Sequence, residues 1–130
     1  AVFAGLGCIG DNNLLITPKH GPKVRLRALT VNAEISSTGI SEFYPCKTCE
    51  KPCRSACPQS AMGKIIYSPD DFDGITTFPG RTGDYDVAKC DREMTEDIKK
   101  AKAEIIEGQQ NTGKIIKYCR VCEFACPIGN

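Results

Sequence analysis

The sequence predicts a small α+β domain, and three observations carry that prediction. Short apolar stretches in the first third read as strands, one amphipathic stretch beyond residue 90 reads as a helix, and nine cysteines crowd into 130 residues. A chain this short buries only about two thirds of the surface its unfolded form exposes, so bound metal is an expected source of the missing stability.

Residues 1–12 are Gly-rich, with Gly5, Gly7 and Gly10 interleaved with Leu6, Cys8 and Ile9, and Asp11-Asn12-Asn13 follows as a polar turn. The spacing is not a dinucleotide fingerprint, because no strand precedes it and no helix follows. Leu14-Leu15-Ile16 and residues 24–31 read as two strands around the turn-prone segment 17–22. In the second, Val24, Leu26 and Ala28 alternate with Arg25 and Arg27, so one face is expected to be buried. This hairpin defines an N-terminal extension, residues 1–41, which closes in a Ser/Thr/Gly linker over 36–41.

Residues 42–130 form the second unit. Within it, 63–67 is a short strand candidate and 68–86 a loop dense in Pro, Gly and Asp. Residues 92–107 are expected to be helical, with Met94, Ile98, Ala101 and Ile105 on one face, an acidic start at Glu96 and Asp97, and Gly108 as the stop. A weak internal repeat relates Cys53-Arg54-Ser55-Ala56-Cys57-Pro58 to Cys122-Glu123-Phe124-Ala125-Cys126-Pro127, which suggests two related halves.

Composition excludes several function classes. Seventeen basic against sixteen acidic residues give a formal charge of +1, so neither nucleic acid nor a membrane surface has an electrostatic claim. No apolar run approaches the ~20 residues that span a bilayer. The start Ala1-Val2-Phe3-Ala4-Gly5 has neither an initiator Met nor the regions of a secretory signal, so the chain reads as a fragment or subunit of something larger. The odd cysteine count and its grouping do not suit a disulfide framework, which favours a cytoplasmic or otherwise reducing, anaerobic compartment.

The cysteines carry the chemistry. The first run is Cys46-x2-Cys49-x3-Cys53-x3-Cys57-Pro58 and the second Cys119-x2-Cys122-x3-Cys126-Pro127. Thiolates are soft ligands suited to iron-sulfur clusters, and three on one loop can hold three corners of a cubane. In two-cluster ferredoxins the cysteine before proline ligates the other cluster. Applied here, that crossover puts Cys46, Cys49, Cys53 and the distant Cys126 on one [4Fe-4S] cluster. Cys57, Cys119 and Cys122 then share the other, with Cys90 as the candidate fourth ligand. Two oxidised cubanes with their thiolates would take the formal charge from +1 to about −3.

The rival reading of the same residues is two zinc sites, although zinc ribbons more often use separated Cys-x2-Cys pairs. Cys8 is left over and reads as a small buried residue. His20, the sole histidine, reads as solvated in its turn. Lys47, Lys51, Arg54, Lys117 and Arg120 lie near the cysteines, where they would partly offset cluster charge or simply face water.

Beyond spacing, there is a family likeness. Gly5-Leu6-Gly7-Cys8-Ile9-Gly10, then Leu14-Leu15-Ile16-Thr17-Pro18, then Gly21-Pro22-Lys23-Val24-Arg25-Leu26 and the two cysteine runs in this order resemble the C-terminal part of the corrinoid iron-sulfur reductases, namely reductive dehalogenases and epoxyqueuosine reductases. The resemblance implies a dicluster ferredoxin-like domain with an isolated cysteine in the position of Cys90. It also implies that the clusters relay electrons to a cobalamin held by a corrinoid-binding domain upstream of Ala1, with a donor such as ferredoxin or flavodoxin. Gly5, Gly7 and Gly10 are the positions where the cluster domain would meet that cofactor. On this reading the chain transfers electrons and is not catalytic by itself. The rivals are a free-standing dicluster ferredoxin and a zinc-stabilised binding module.

Overall fold

The computed structural model describes residues 1–63, 85–105 and 112–129. Strands β1 (Cys8–Ile9) and β2 (Leu15–Ile16) pair antiparallel, with Cys8 opposite Ile16 and Ile9 opposite Leu15. The polar residues 11–13 make the tip of this hairpin. Asn13 takes the left-handed conformation at φ 58°, which asparagine tolerates, and its N–H donates to the Gly10 carbonyl at 2.9 Å. The Asn12 side chain accepts from the Leu14 N–H at 3.2 Å.

An N-terminal hairpin therefore exists, but it is not the one expected from the apolar alternation. Residues 24–31 form no strand, and Leu26, Leu29 and Val31 are exposed. The chain after Ile16 closes on itself, because Thr17 and Gly21 exchange two N–H···O bonds of 2.9 Å. The ladder ends there, and 24–31 finds no strand partner among the described residues. Alternation signals a half-buried strand only where a neighbour supplies the burial.

Helix α2 (Val87–Lys100) begins and ends earlier than its apolar spacing suggested. The start is set by Asp86, whose carboxylate accepts the Lys89 N–H at 3.0 Å, an N-cap bond typically worth about 1 kcal/mol. Lys99 and Lys100 sit in the last turn, where they favour the negative end of the helix dipole. Ala101 then turns extended and leads into β3 (Ala103–Ile105), which pairs antiparallel with β4 (Thr112–Lys114). Ala101 and Ile105 thus lie beyond the helix. The expected strand at 63–67 and loop at 68–86 fall largely outside the described residues, as does the Gly108 stop.

The sequence repeat is a backbone repeat. Single-turn helices α1 (Pro52–Ser55) and α3 (Val121–Phe124) contact each other and end alike. Ala56 donates to the Pro52 carbonyl and Ala125 to the Val121 carbonyl, both at 2.9 Å, while Cys57 and Cys126 reach the carbonyls of Arg54 and Glu123 at 3.4 Å. Each helix is stopped by the Cys-Pro pair that follows, since the residue before proline disfavours the helical region.

Among the described residues the buried apolar set is Val2, Cys8, Ile16, Cys46, Cys53, Ala61, Met62 and Cys126, so half of it is cysteine. Cys8, Ile16, Cys46 and Cys126 form one cluster, flanked by Phe43, Tyr44 and Ile128. The N-terminal hairpin and the cysteine-bearing unit therefore share a core. Among the described residues no helix is long and apolar enough to cross a membrane.

Candidate metal centre

All nine cysteines are free; Cys53 has Cys126, Cys46 and Cys49 among its charged neighbours, and Cys122 has Cys119, Cys57 and Cys90. Cys46 lies in a 3-10 turn at Pro45–Lys47, Cys53 in α1, and Cys126 just beyond α3. Burial pushes the Cys53 thiol up to about 11, and the neighbouring Cys126, Cys46 and Cys49 push in the same direction. Burial likewise raises Cys46, against a backbone N–H from Asp11 that favours its thiolate, with Cys126 and Cys49 again among its neighbours. Cys126 thus joins the first run although it belongs to the second, brought there by the contact of α1 with α3. The Lys51 N–H points at Cys49 Sγ at 3.4 Å.

The second group forms around Cys122. Burial pushes this thiol up to about 11, followed by Cys119, Cys57 and Cys90, with Cys53 of the first group the weakest contributor. Cys90 is carried there by α2, which is fastened on two sides. Asp97 accepts the Cys119 N–H at 2.8 Å, and Glu93 accepts from the Gln59 amide at 2.7 Å. The Ala61 N–H points at Cys57 Sγ at 3.3 Å. Tyr85 stands against this group, its phenol raised by burial and by its hydrogen bond with Cys90.

A buried ionic contact lies beside the first group. Asp11, with no exposed side-chain surface, takes Lys51 Nζ at 2.6 Å on one oxygen and the Tyr44 hydroxyl at 3.0 Å on the other. Burial and this bond hold the Tyr44 phenol above its ordinary value. Neither Tyr85 nor the Asp11–Lys51–Tyr44 contact was legible in the sequence, where Asp11 reads as a turn residue and Tyr85 lies in an irregular loop. Their partners are remote in the chain.

Cys8 is fully buried and touches the same core, its thiol pushed up to about 11 by burial and then by Cys46, Asp11 and Cys126. The glycines beside it approach this chain's own atoms. A Cβ on Gly5 would lie 2.5 Å from the Gly39 carbonyl oxygen, one on Gly7 2.0 Å from that of Ile16, and one on Gly10 2.3 Å from the Ile16 side chain. Intrachain packing alone thus accounts for all three. His20 is exposed.

The donor set suits iron-sulfur clusters. Thiolates are soft donors, and burial, which raises Cys46, Cys53 and Cys122, would be offset there by the charge of a bound cationic metal. Among the described residues no group of three or more His, Cys, Asp or Glu side chains is arranged to hold a metal ion.

No family model and no solved structure matches the chain. Among curated proteins, tetrachloroethene reductive dehalogenases of Desulfitobacterium hafniense and of Dehalobacter restrictus are each 42% identical over 67 residues, covering 48% of this chain and 12% of theirs. An epoxyqueuosine reductase of Cyclobacterium marinum is 28% identical over 127 residues, covering 98% of this chain and 34% of its own length. The chain spans about a third or less of the length of these relatives. The similarities support the reductase relationship drawn from the motifs.

Proposed function

We propose that this chain is the electron-relay part of a corrinoid-dependent reductase. On this reading Cys46, Cys49, Cys53 and Cys126 hold one [4Fe-4S] cluster, and Cys57, Cys90, Cys119 and Cys122 hold the other. The observation that supports it is that Cys126 of the second run neighbours Cys53, and Cys57 of the first run neighbours Cys122. Each cluster, when bound, supplies a one-electron couple. The chain's own contribution is to exclude water and to aim N–H groups at sulfur, which stabilises thiolate charge.

Burial suggests an order for the relay. Cys46, Cys53 and Cys126 of the first group are buried, whereas all four cysteines of the second are half-buried. On this reading the more exposed second group would be where an electron enters, and the buried first group would face a corrinoid held by another part of the protein. Support for a further body comes from residues 26–40, where Leu29 and Ile35 are 83% and 75% exposed among other uncovered apolar side chains.

Anaerobic preparation tests the reading. Iron and sulfide should each approach about eight per chain, with a broad absorption that bleaches on reduction. Stoichiometric zinc without sulfide would replace this reading with the zinc-stabilised module. In the full-length protein, the cobalt signal should change after the clusters are reduced. Clusters that reduce while cobalt never does would leave a free-standing ferredoxin as the better account.

A further inference from the structure

We infer that the basic face beside the second group of cysteines is the docking site for a small acidic one-electron carrier protein. The inference rests on the relay reading and adds the place and charge of the partner. Two hollows on this face are joined by Lys117. One, of about 610 Å³, is lined by Arg25, Lys117 and Arg120 together with Tyr118, Val121 and Phe124, with no acidic residue in its wall among the described residues. The other, of about 200 Å³, presents Lys100, Lys102 and Lys117 around a single carboxylate, Asp97.

Among the described residues the two acids of this face, Asp97 and Glu123, are already engaged. Asp97 accepts the Cys119 N–H, and buried Glu123 is held by Arg120 and lies 3.6 Å from the Arg25 guanidinium. In a chain whose formal charge is only +1, this is a local concentration of cations. The hollow beside Cys49 differs: among the described residues Pro45, Pro52, Pro127 and Ile128 line it with Glu50, and no cation does. At the first group Lys51 is turned to buried Asp11, whereas the cations beside the second group line open hollows.

The face also offers a dry centre. Tyr118, Val121 and Phe124 are 47%, 42% and 59% exposed, and the Arg120 guanidinium lies 4.7 Å from the centre of the Phe124 ring. A small apolar patch ringed by cations suits a transient redox encounter, which buries less than ~1,200 Å² and is guided by opposite charge. Cys119 lies between Lys117 and Arg120 in the chain, and Cys122 follows Val121. A carrier seated here approaches the second cluster. One electron leaves its reduced centre and enters the oxidised cubane, with no bond made and no proton moved.

The test uses the full-length, cluster-loaded protein and two reductants, a dithionite-reduced acidic [2Fe-2S] ferredoxin and the small methyl viologen radical. Stopped-flow bleaching by ferredoxin should slow as salt is raised. In R25E/K100E/K102E it should slow by about tenfold or more, as expected when steering is reversed. Viologen should bleach the variant as fast as wild type. The three side chains are not cluster ligands, and each single reversal should give a smaller effect of the same sign. Ferredoxin rates that ignore both salt and the reversal, with viologen still effective, would overturn the docking site and leave the relay intact; they are also what coverage of this face by the rest of the polypeptide would produce. If viologen finds no cluster to bleach, the relay reading itself fails.

Discussion

The two groups of cysteines use the same local backbone and sit in different surroundings. In the first, Cys46 and Cys126 pack with Ile16 and Cys8 under the N-terminal hairpin, and an Asp11–Lys51 ion pair closes one side. In the second, every thiol is half-buried, and the neighbouring surface is lined by Arg25, Lys117 and Arg120. A repeated Cys-x3-Cys-Pro turn therefore sets where the thiols point, while the extra hairpin decides how much water reaches them. Burial disfavours the extra negative charge of a reduced cluster, and nearby cations favour it. The difference would give the two clusters different potentials from one ligand set.

The largest expected effect is common to both groups. Half of the buried apolar residues described are cysteines, so if they hold the proposed clusters, removing the metal would leave buried thiols without the partners that fix them. Metal binding supplies about 10 to 16 kcal/mol in small zinc domains, more than a chain of this size can spare. After anaerobic chelation the far-ultraviolet circular dichroism should collapse and amide protection should disappear. A metal-free chain that still melts cooperatively would show that the hairpin and α2 stand without the clusters.

The next effect separates the groups. Cys126→Ala should remove the first cluster and leave the second, although Cys126 lies in the second run; Cys90→Ala should do the opposite. Each variant should keep about half the iron, and the electron paramagnetic resonance of the reduced protein should show which signal is lost. Loss of the same signal in both variants would refute the crossover.

A smaller effect probes the hairpin's hold on the first group. Lys51→Met leaves the Asp11 carboxylate buried with only the Tyr44 hydroxyl as a side-chain partner. The expected cost is about 2 kcal/mol, below that of a fully buried pair because Lys51 is partly exposed. Denaturant melts of the loaded protein measure it, and Asp11→Asn combined with Lys51→Met should recover part of the loss. Air oxidation should then destroy the first cluster faster than in wild type, with the second unchanged.

The two groups also differ in what a sequence can disclose. The cysteines found near Cys53 and Cys122 follow the sequence reading because cysteine spacing and the proline after Cys57 and Cys126 act locally, and the turn at 11–13 was readable for the same reason. The strand expected at 24–31 was not formed, since alternation records a buried face without saying what buries it. Helix α2 was displaced because its start depends on the Asp86 cap, which the apolar spacing of Met94 and Ile98 does not reveal. Asp11, Lys51 and Tyr44 meet only through tertiary packing, so none of them carries a local sign of the contact.

Cys8 gives the smallest effect and the sharpest check on the first group. It is as buried as the ligands beside it, and its thiol is raised by the same surroundings, so burial alone cannot tell a ligand from a packing residue. The proposed ligand set is complete with Cys46, Cys49, Cys53 and Cys126, and β1 fixes Cys8 against Ile16. Cys8→Ala should therefore remove one buried sulfur and its contacts, at about 1 kcal/mol of stability, with iron content at the wild-type level. Cys8→Ser should cost about 2 kcal/mol, because a hydroxyl would be buried there, again with no loss of iron. If Cys8→Ala loses half the iron instead, Cys8 takes the place given to one of the four, and the alanine variant of that one should then retain both clusters.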